Sequence, residues 1–174
     1  AALAGFAQVL KPVKWEITKE KVNDNTYYLV FKAKITKGWT VYSQYTSDEG
    51  PVPTAITYEE KGGIKLIGKA TEKGYKKEGP DPLFDNVNVV KFLDKEPFVI
   101  RQKIEVTDAS KPLTGYLTFM TCDNNKCLPP VDVDFNLTFE KTADKAEVAP
   151  AEKEVESAVV VAPTPTDTTS QQTT

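Results

Sequence analysis

The sequence predicts an all-β domain, an immunoglobulin-like antiparallel β-sandwich. Apolar and polar residues alternate with period two in one short run after another, the signature of half-buried strands. Clusters of Gly, Pro, Asn and Asp separate those runs. No helix-length stretch carries an apolar stripe at helical spacing. Roughly seven to nine short strands, each with one buried face, pack most simply as two antiparallel sheets.

Taken from the N-terminus, Ala1 to Ala7 is apolar and ends in small residues at the positions a signal peptidase reads, Gly5 and Ala7. Residues 1–8 are therefore read as a signal-peptide remnant and disordered start, with the mature chain opening at Gln8; a frayed apolar start is the plainer alternative. Val13, Trp15 and Ile17 then alternate with polar residues. Tyr27, Leu29, Phe31, Ala33 and Ile35 share one face of the next run. Shorter runs span Ala55 to Glu59 and Ile64 to Ala70, parted by Gly62-Gly63. Phe98, Ile100, Ile104 and Val106 face one way while Arg101, Lys103 and Glu105 face the other. Leu113 to Thr121 follows, and Val131, Val133, Phe135, Leu137 and Phe139 form the cleanest alternation. Turns are expected at Asn23-Asp24-Asn25, Lys37-Gly38, Gly50-Pro51-Val52-Pro53, Gly79-Pro80-Asp81-Pro82 and Asp108-Ala109-Ser110. Gly79 to Val87 reads as irregular, with Phe84 at a loop tip, where an aromatic either packs back on the domain or meets a partner.

The domain is expected over residues 9–142. From Ala143 the composition changes: 32 residues without an aromatic, Gly, Leu or Ile, rich in Pro, Thr and Glu. Such a segment buries too little apolar surface to offset its ordering entropy, so residues 143–174 are expected to be a disordered linker or stalk. The segment holds six acids against two lysines, leaving 19 acids and 20 bases for the rest. A nearly neutral body with no basic stripe argues against nucleic acid as a partner.

Histidine is absent from the chain. That removes the Ser-His-Asp and Cys-His routes to an activated nucleophile. Two cysteines alone leave a tetrahedral metal site two ligands short, and no metal or cofactor is expected. A Cu(I) site from Cys122, Cys127 and the lone Met120 is a remote third reading.

Cys122 and Cys127 enclose four residues in the connection between two strands, most simply a hairpin. A bridge between them is feasible if the loop brings their Cα atoms within about 7 Å. As a staple it would be modest, on the order of 2 kcal/mol for so short a loop. A tight pair in an edge loop is accessible to a thiolate, which is what exchange requires. Lys126 beside Cys127, with Asp123 beside Cys122, are candidates for tuning the thiolate. Spacing alone divides evenly between staple and exchange pair.

The run Phe119-Met120-Thr121-Cys122-Asp123-Asn124-Asn125-Lys126-Cys127-Leu128-Pro129-Pro130 resembles the cysteine motif of the N-terminal periplasmic domain of the DsbD thiol:disulfide interchange family. Gly38-Trp39-Thr40-Val41-Tyr42-Ser43-Gln44 is similar to that family's aromatic strand near the active site, and Leu83-Phe84-Asp85 to its cap loop. Four residues part the cysteines here, where the best-known members have five. The resemblance runs from about Val9 to Lys141. It implies an immunoglobulin-like oxidoreductase domain in the periplasm, part of an inner-membrane protein continuing beyond the linker and associated with cytochrome c biogenesis. Its partners would be a thioredoxin-fold domain of the same membrane protein, which supplies electrons, and periplasmic thiol oxidoreductases, which receive them. Cys127 would form the mixed disulfide and Cys122 resolve it. Phe84, Tyr42 and Trp39 would shield the pair, although the odd spacing of Trp39 and Tyr42 on a strand puts them on opposite faces and favours Tyr42. The competing expectation is a non-catalytic adhesion or assembly module with an inert disulfide.

Overall fold

In the computed structural model, which describes residues 9–139, the chain forms an immunoglobulin-like sandwich of antiparallel sheets. The expectations for residues 1–8 and 143–174, a processed leader and a disordered linker, lie outside the described residues. The strands are β1 (Val13–Lys21), β2 (Thr26–Ile35), β3 (Thr40–Tyr42), β4 (Ala55–Glu60), β5 (Ile64–Lys73), β6 (Tyr75–Asp81), β7 (Val87–Leu93), β8 (Phe98–Val106), β9 (Leu113–Phe119), β10 (Thr121–Cys122) and β11 (Val131–Leu137). They form three sheets, in the orders β1-β2-β8-β5, β10-β3-β7-β6 and β11-β9-β4.

Strand periodicity builds the core. The alternating residues Leu29, Phe31 and Ala33 of β2 and Ile100 and Ile104 of β8 all turn inward from the first sheet. They meet Leu113 and Leu117 of β9 and Phe135 and Leu137 of β11 from the facing sheet. Edge-to-face aromatic pairs cross the gap: Phe31 with Phe135 at 5.5 Å and Tyr27 with Phe139 at 5.1 Å between ring centroids. Each such side chain contributes roughly 1.5–3 kcal/mol by leaving water, so this core carries most of the stability.

Two strands pass from one sheet to the next and thereby set up the second sheet. β9 runs on through Met120 into β10, and β5 runs on through Gly74 into β6. At Gly74 a Cβ would come within 2.8 Å of the Phe92 ring, so the crossing requires the bare backbone.

The structure departs from the expected elements in that second sheet. Eleven strands stand among the described residues; β3, β6, β7 and β10 have no counterpart of their own in the periodicity, and of these β3 alone was expected, from the resemblance. The turn expected at Gly79 to Pro82 lies largely within β6, where Pro80 faces Asn88. β6 is an edge strand and mostly exposed, so it shows no alternation, and an edge tolerates a proline that cannot donate to the ladder. Only residues 82–86 remain irregular, including a short 3-10 turn at Pro82–Phe84.

Candidate functional site

The cysteines close the β9–β11 hairpin. β9 and β11 pair from Leu113↔Leu137 to Phe119↔Val131, and between them the chain crosses to β3 as β10. Reciprocal bonds hold that crossing: the Thr40 hydroxyl donates to the Cys122 carbonyl (3.2 Å) and the Thr121 hydroxyl to the Thr40 carbonyl (2.8 Å). Beyond Cys122 the backbone turns back, with the Asp123 N–H donating to the Lys126 carbonyl and the Leu128 N–H to the Thr121 carbonyl, each at 2.9 Å. Cys122 and Cys127 thus face each other, Cα atoms 4.0 Å apart, and are joined by a disulfide.

The two sulfur-bearing residues lie in different surroundings. Cys122 is fully buried, in a small cluster with Tyr42 (0% exposed) and Val89 (2%). Cys127 is partly exposed and packs on that cluster from outside, as do Met120 and Phe84. The Phe84 ring meets Tyr42 edge-on, 5.7 Å between centroids at 88°. The Met120 sulfur accepts the Val52 N–H at 3.4 Å, which ties the loop after β3 to the same edge.

Phe84 is held there by the turn between β6 and β7. Asp81 ends β6 and caps the turn, its Oδ1 accepting the Leu83 N–H at 3.0 Å, with Pro82 at the first position. Asp85 (φ 50°) and Asn86 (φ 62°) then both adopt the left-handed conformation, and the Asn86 N–H donates back to the Asp81 carbonyl at 3.0 Å. The other Asp81 oxygen pairs with Lys91 Nζ at 2.7 Å, and Asp81 is 2% exposed. Lys91 stands directly across the ladder from Tyr42.

The electrostatics follow. Burial, and secondarily the Asp81 charge, push the Tyr42 phenol up to about 12, the neighbouring Thr40 hydroxyl offsetting them slightly. Its hydroxyl has no partner of good hydrogen-bond geometry among the described residues. The Asp123 carboxyl is held below the usual range by the N–H groups of Asn125 and Lys126, both donating to Oδ1 at 2.7 Å, and secondarily by the Lys126 charge.

Of the residues singled out from sequence, the structure brings Cys122, Cys127, Tyr42 and Phe84 together. Trp39 packs instead on the large core, because it precedes Tyr42 by an odd number of residues and so points away from it. Asp123 shapes the loop through its backbone bonds. Lys126 is exposed on the loop's outer side. Asp81, Lys91 and Val89 were not singled out as site residues from sequence; only the Asp-Pro step at 81–82, a turn-capping signal, pointed at one of them.

No protein-family model and no curated protein matches this sequence. Among solved structures, the N-terminal periplasmic domain of ScsB from Proteus mirabilis is similar, at 16% identity and a TM-score of 0.50, over 79% of this chain and 49% of that one. The chain shares that fold. The N-terminal domain of Neisseria meningitidis DsbD in the reduced form aligns at 16% identity and a TM-score of 0.46, over 70% of this chain and 83% of the other. The GAE domain of yeast GGA1 aligns at 9% identity and a TM-score of 0.45, over 75% and 96%. At these identities the likeness is one of fold.

Proposed function

We propose that this is a thiol–disulfide exchange domain whose Cys122–Cys127 pair relays electrons in the periplasm. It takes them from a thioredoxin-fold domain of the same membrane protein and passes them to periplasmic oxidoreductases. The asymmetry of the disulfide carries the reading: Cys122 is sealed under Tyr42 and Val89, while Cys127 is partly exposed at the edge of that cluster. A staple gains nothing from that asymmetry. An exchange pair needs it, because attack must fall on one sulfur and leave the other as the internal thiolate.

The steps balance as two successive exchanges. A thiolate of the reduced donor attacks the Cys127 sulfur; the S–S bond breaks and its electron pair leaves on Cys122. The donor's second thiol attacks the mixed disulfide, freeing Cys127 and leaving the donor oxidised and this domain a dithiol. The Cys127 thiolate next attacks the acceptor's disulfide. Cys122 then attacks the Cys127 sulfur, re-forming the pair and releasing the reduced acceptor, so two electrons and two protons have passed. Docking supplies the proximity. Phe84 serves as a cap that shields the pair until a partner displaces it.

A Cys122→Ala variant tests this directly, by leaving Cys127 unable to resolve. Offered an oxidised thioredoxin-fold protein, it should accumulate a mixed disulfide through Cys127, the partner's disulfide breaking and its second sulfur leaving as a thiol. The midpoint potential of the native pair should lie above about −300 mV, the range below which structural bridges fall. Capture through neither cysteine, with a potential well below that range, would leave an inert bridge in an adhesion or assembly module.

A further inference from the structure

The cap turn is fastened to the body of the domain at its base, where β6 ends. Asp81 is the fastening group. Its carboxylate, almost wholly out of water, bonds at one oxygen to the Leu83 N–H inside the turn and at the other to Lys91 Nζ on β7. A buried carboxylate is tolerated only while such partners hold it, and its charge makes both bonds stronger than neutral ones. Lys91 is anchored in turn by the ladder, paired with Tyr42 on one side and Lys77 on the other. A continuous chain therefore runs from β7 through Lys91 and Asp81 to the backbone next to Phe84.

The closed turn is also under tension. Asp85 and Asn86 are consecutive non-glycine residues at φ 50° and 62°, a conformation such side chains visit at a cost. Gly50 lies on the other side of Phe84, close enough that an added Cβ would stand 3.4 Å from the Phe84 Cβ and from the Val87 side chain, at ordinary contact distance. Opening would relax the two left-handed residues and give up the Phe84–Tyr42 contact. Opposing that release at the turn's base are the backbone bond from the Asn86 N–H to the Asp81 carbonyl and, from side chains, the Asp81 carboxylate with its two bonds.

We propose that Asp81 and Lys91 are positioning residues that latch the Phe84 turn over the disulfide, and so set how often Cys127 is open to attack. The inference rests on the exchange reading for its biological use, but its physical content is access of any thiol to the pair. The latch acts on rate in both directions and leaves the equilibrium between disulfide and dithiol nearly unchanged.

The test is the rate at which dithiothreitol reduces the disulfide of the full 174-residue chain, measured for Asp81→Asn, Lys91→Met, Phe84→Ala and the double variant Asp81→Asn/Phe84→Ala. Asp81→Asn keeps the turn-capping oxygen and removes the charge; Lys91→Met keeps the stem and removes the ammonium. Each single variant should react about threefold to tenfold faster, as the uncapped minor state becomes more populated. The double variant should react no faster than Phe84→Ala alone, because the latch works only through the cap. An unchanged rate for both latch variants beside a faster Phe84→Ala overturns the latch. So does an equal acceleration by Asp81→Asn in both backgrounds, which marks general loosening. The exchange reading fails separately, by absence of capture through Cys127, whatever these rates are.

Discussion

The two apolar clusters of this domain are built on opposite plans. The large one is redundant: side chains from β1, β2, β8, β9 and β11 interlock across the sandwich, and each is backed by several others. The small one has three buried members, Tyr42, Val89 and Cys122, and is closed by a single ring on a turn with two left-handed residues. Beside it stands the Asp81–Lys91 ion pair, and within it a phenol hydroxyl with no well-formed hydrogen bond among the described residues. Burial in the first holds the fold. Burial in the second holds one sulfur out of reach and leaves its neighbour accessible, which a rigid, redundant cluster could not release.

Damage to the two clusters should therefore register in different measurements. The largest effect is expected from Leu117→Ala, a fully buried residue in the middle of β9. It should lose about 3–5 kcal/mol in urea unfolding through lost transfer energy and a cavity, with the thiol reactivity of the remaining folded protein unchanged. A loss below about 1 kcal/mol would mean the sandwich centre is not the main source of stability. Reduction of the disulfide comes next. The cysteines are only five apart in sequence, so opening the bridge should cost on the order of 2 kcal/mol by chain entropy. The reduced domain should still unfold cooperatively, as an exchange protein must survive its own reduced state. Collapse of the fold on reduction would show the bridge to be structural.

The same contrast explains what sequence could reveal. The first sheet and the β9–β11 hairpin were legible because Leu29, Phe31, Ala33, Phe135 and Leu137 alternate with polar residues, and half-buried strands write that pattern directly. β6 wrote none, since an exposed edge strand has no buried face, and its Pro80 read as a turn. Cys122 and Cys127 stood out by their spacing and Phe84 by its place at a loop tip, but Tyr42 and the grouping of all four came from motif resemblance; periodicity alone gave no reason to group them. The Asp81–Lys91 pair was not legible at all. It joins an edge strand and its neighbour, neither of which the pattern disclosed, and a charged pair ten residues apart looks like two solvated residues. Asp123 beside a cysteine suggested thiolate tuning, yet its carboxylate is occupied by two backbone N–H groups, an Asx-type turn that sequence also permitted.

The smallest effect expected is also the one that separates the clusters most finely. Tyr42 and Tyr58 are both pushed up to about 12 by burial, so each phenol is held neutral where an unfolded chain would ionise it near 10. A folded pKa above the unfolded one means the contribution is intact below about pH 10 and is lost as pH rises toward 12. The domain should accordingly lose stability across that alkaline window. Tyr58 sits against the Phe135 ring of the large core, 6.1 Å between centroids, and Tyr42 beside Cys122. Tyr42→Phe deletes one of the two ionisations and with it a buried hydroxyl that lacks a partner. At neutral pH it should be neutral to stabilising, by up to about 1 kcal/mol, since an unsatisfied buried hydroxyl is a cost that phenylalanine does not carry. At pH 11 its advantage over the parent should widen. Tyr58→Phe should flatten the alkaline limb as well. Tyr42→Phe alone should combine that flattening with an unchanged cap, because the ring that Phe84 packs against is retained. A destabilised Tyr42→Phe at neutral pH would mean that the hydroxyl holds a bond worth keeping inside the small cluster, and the contrast between a redundant core and a poised site would lose one of its supports.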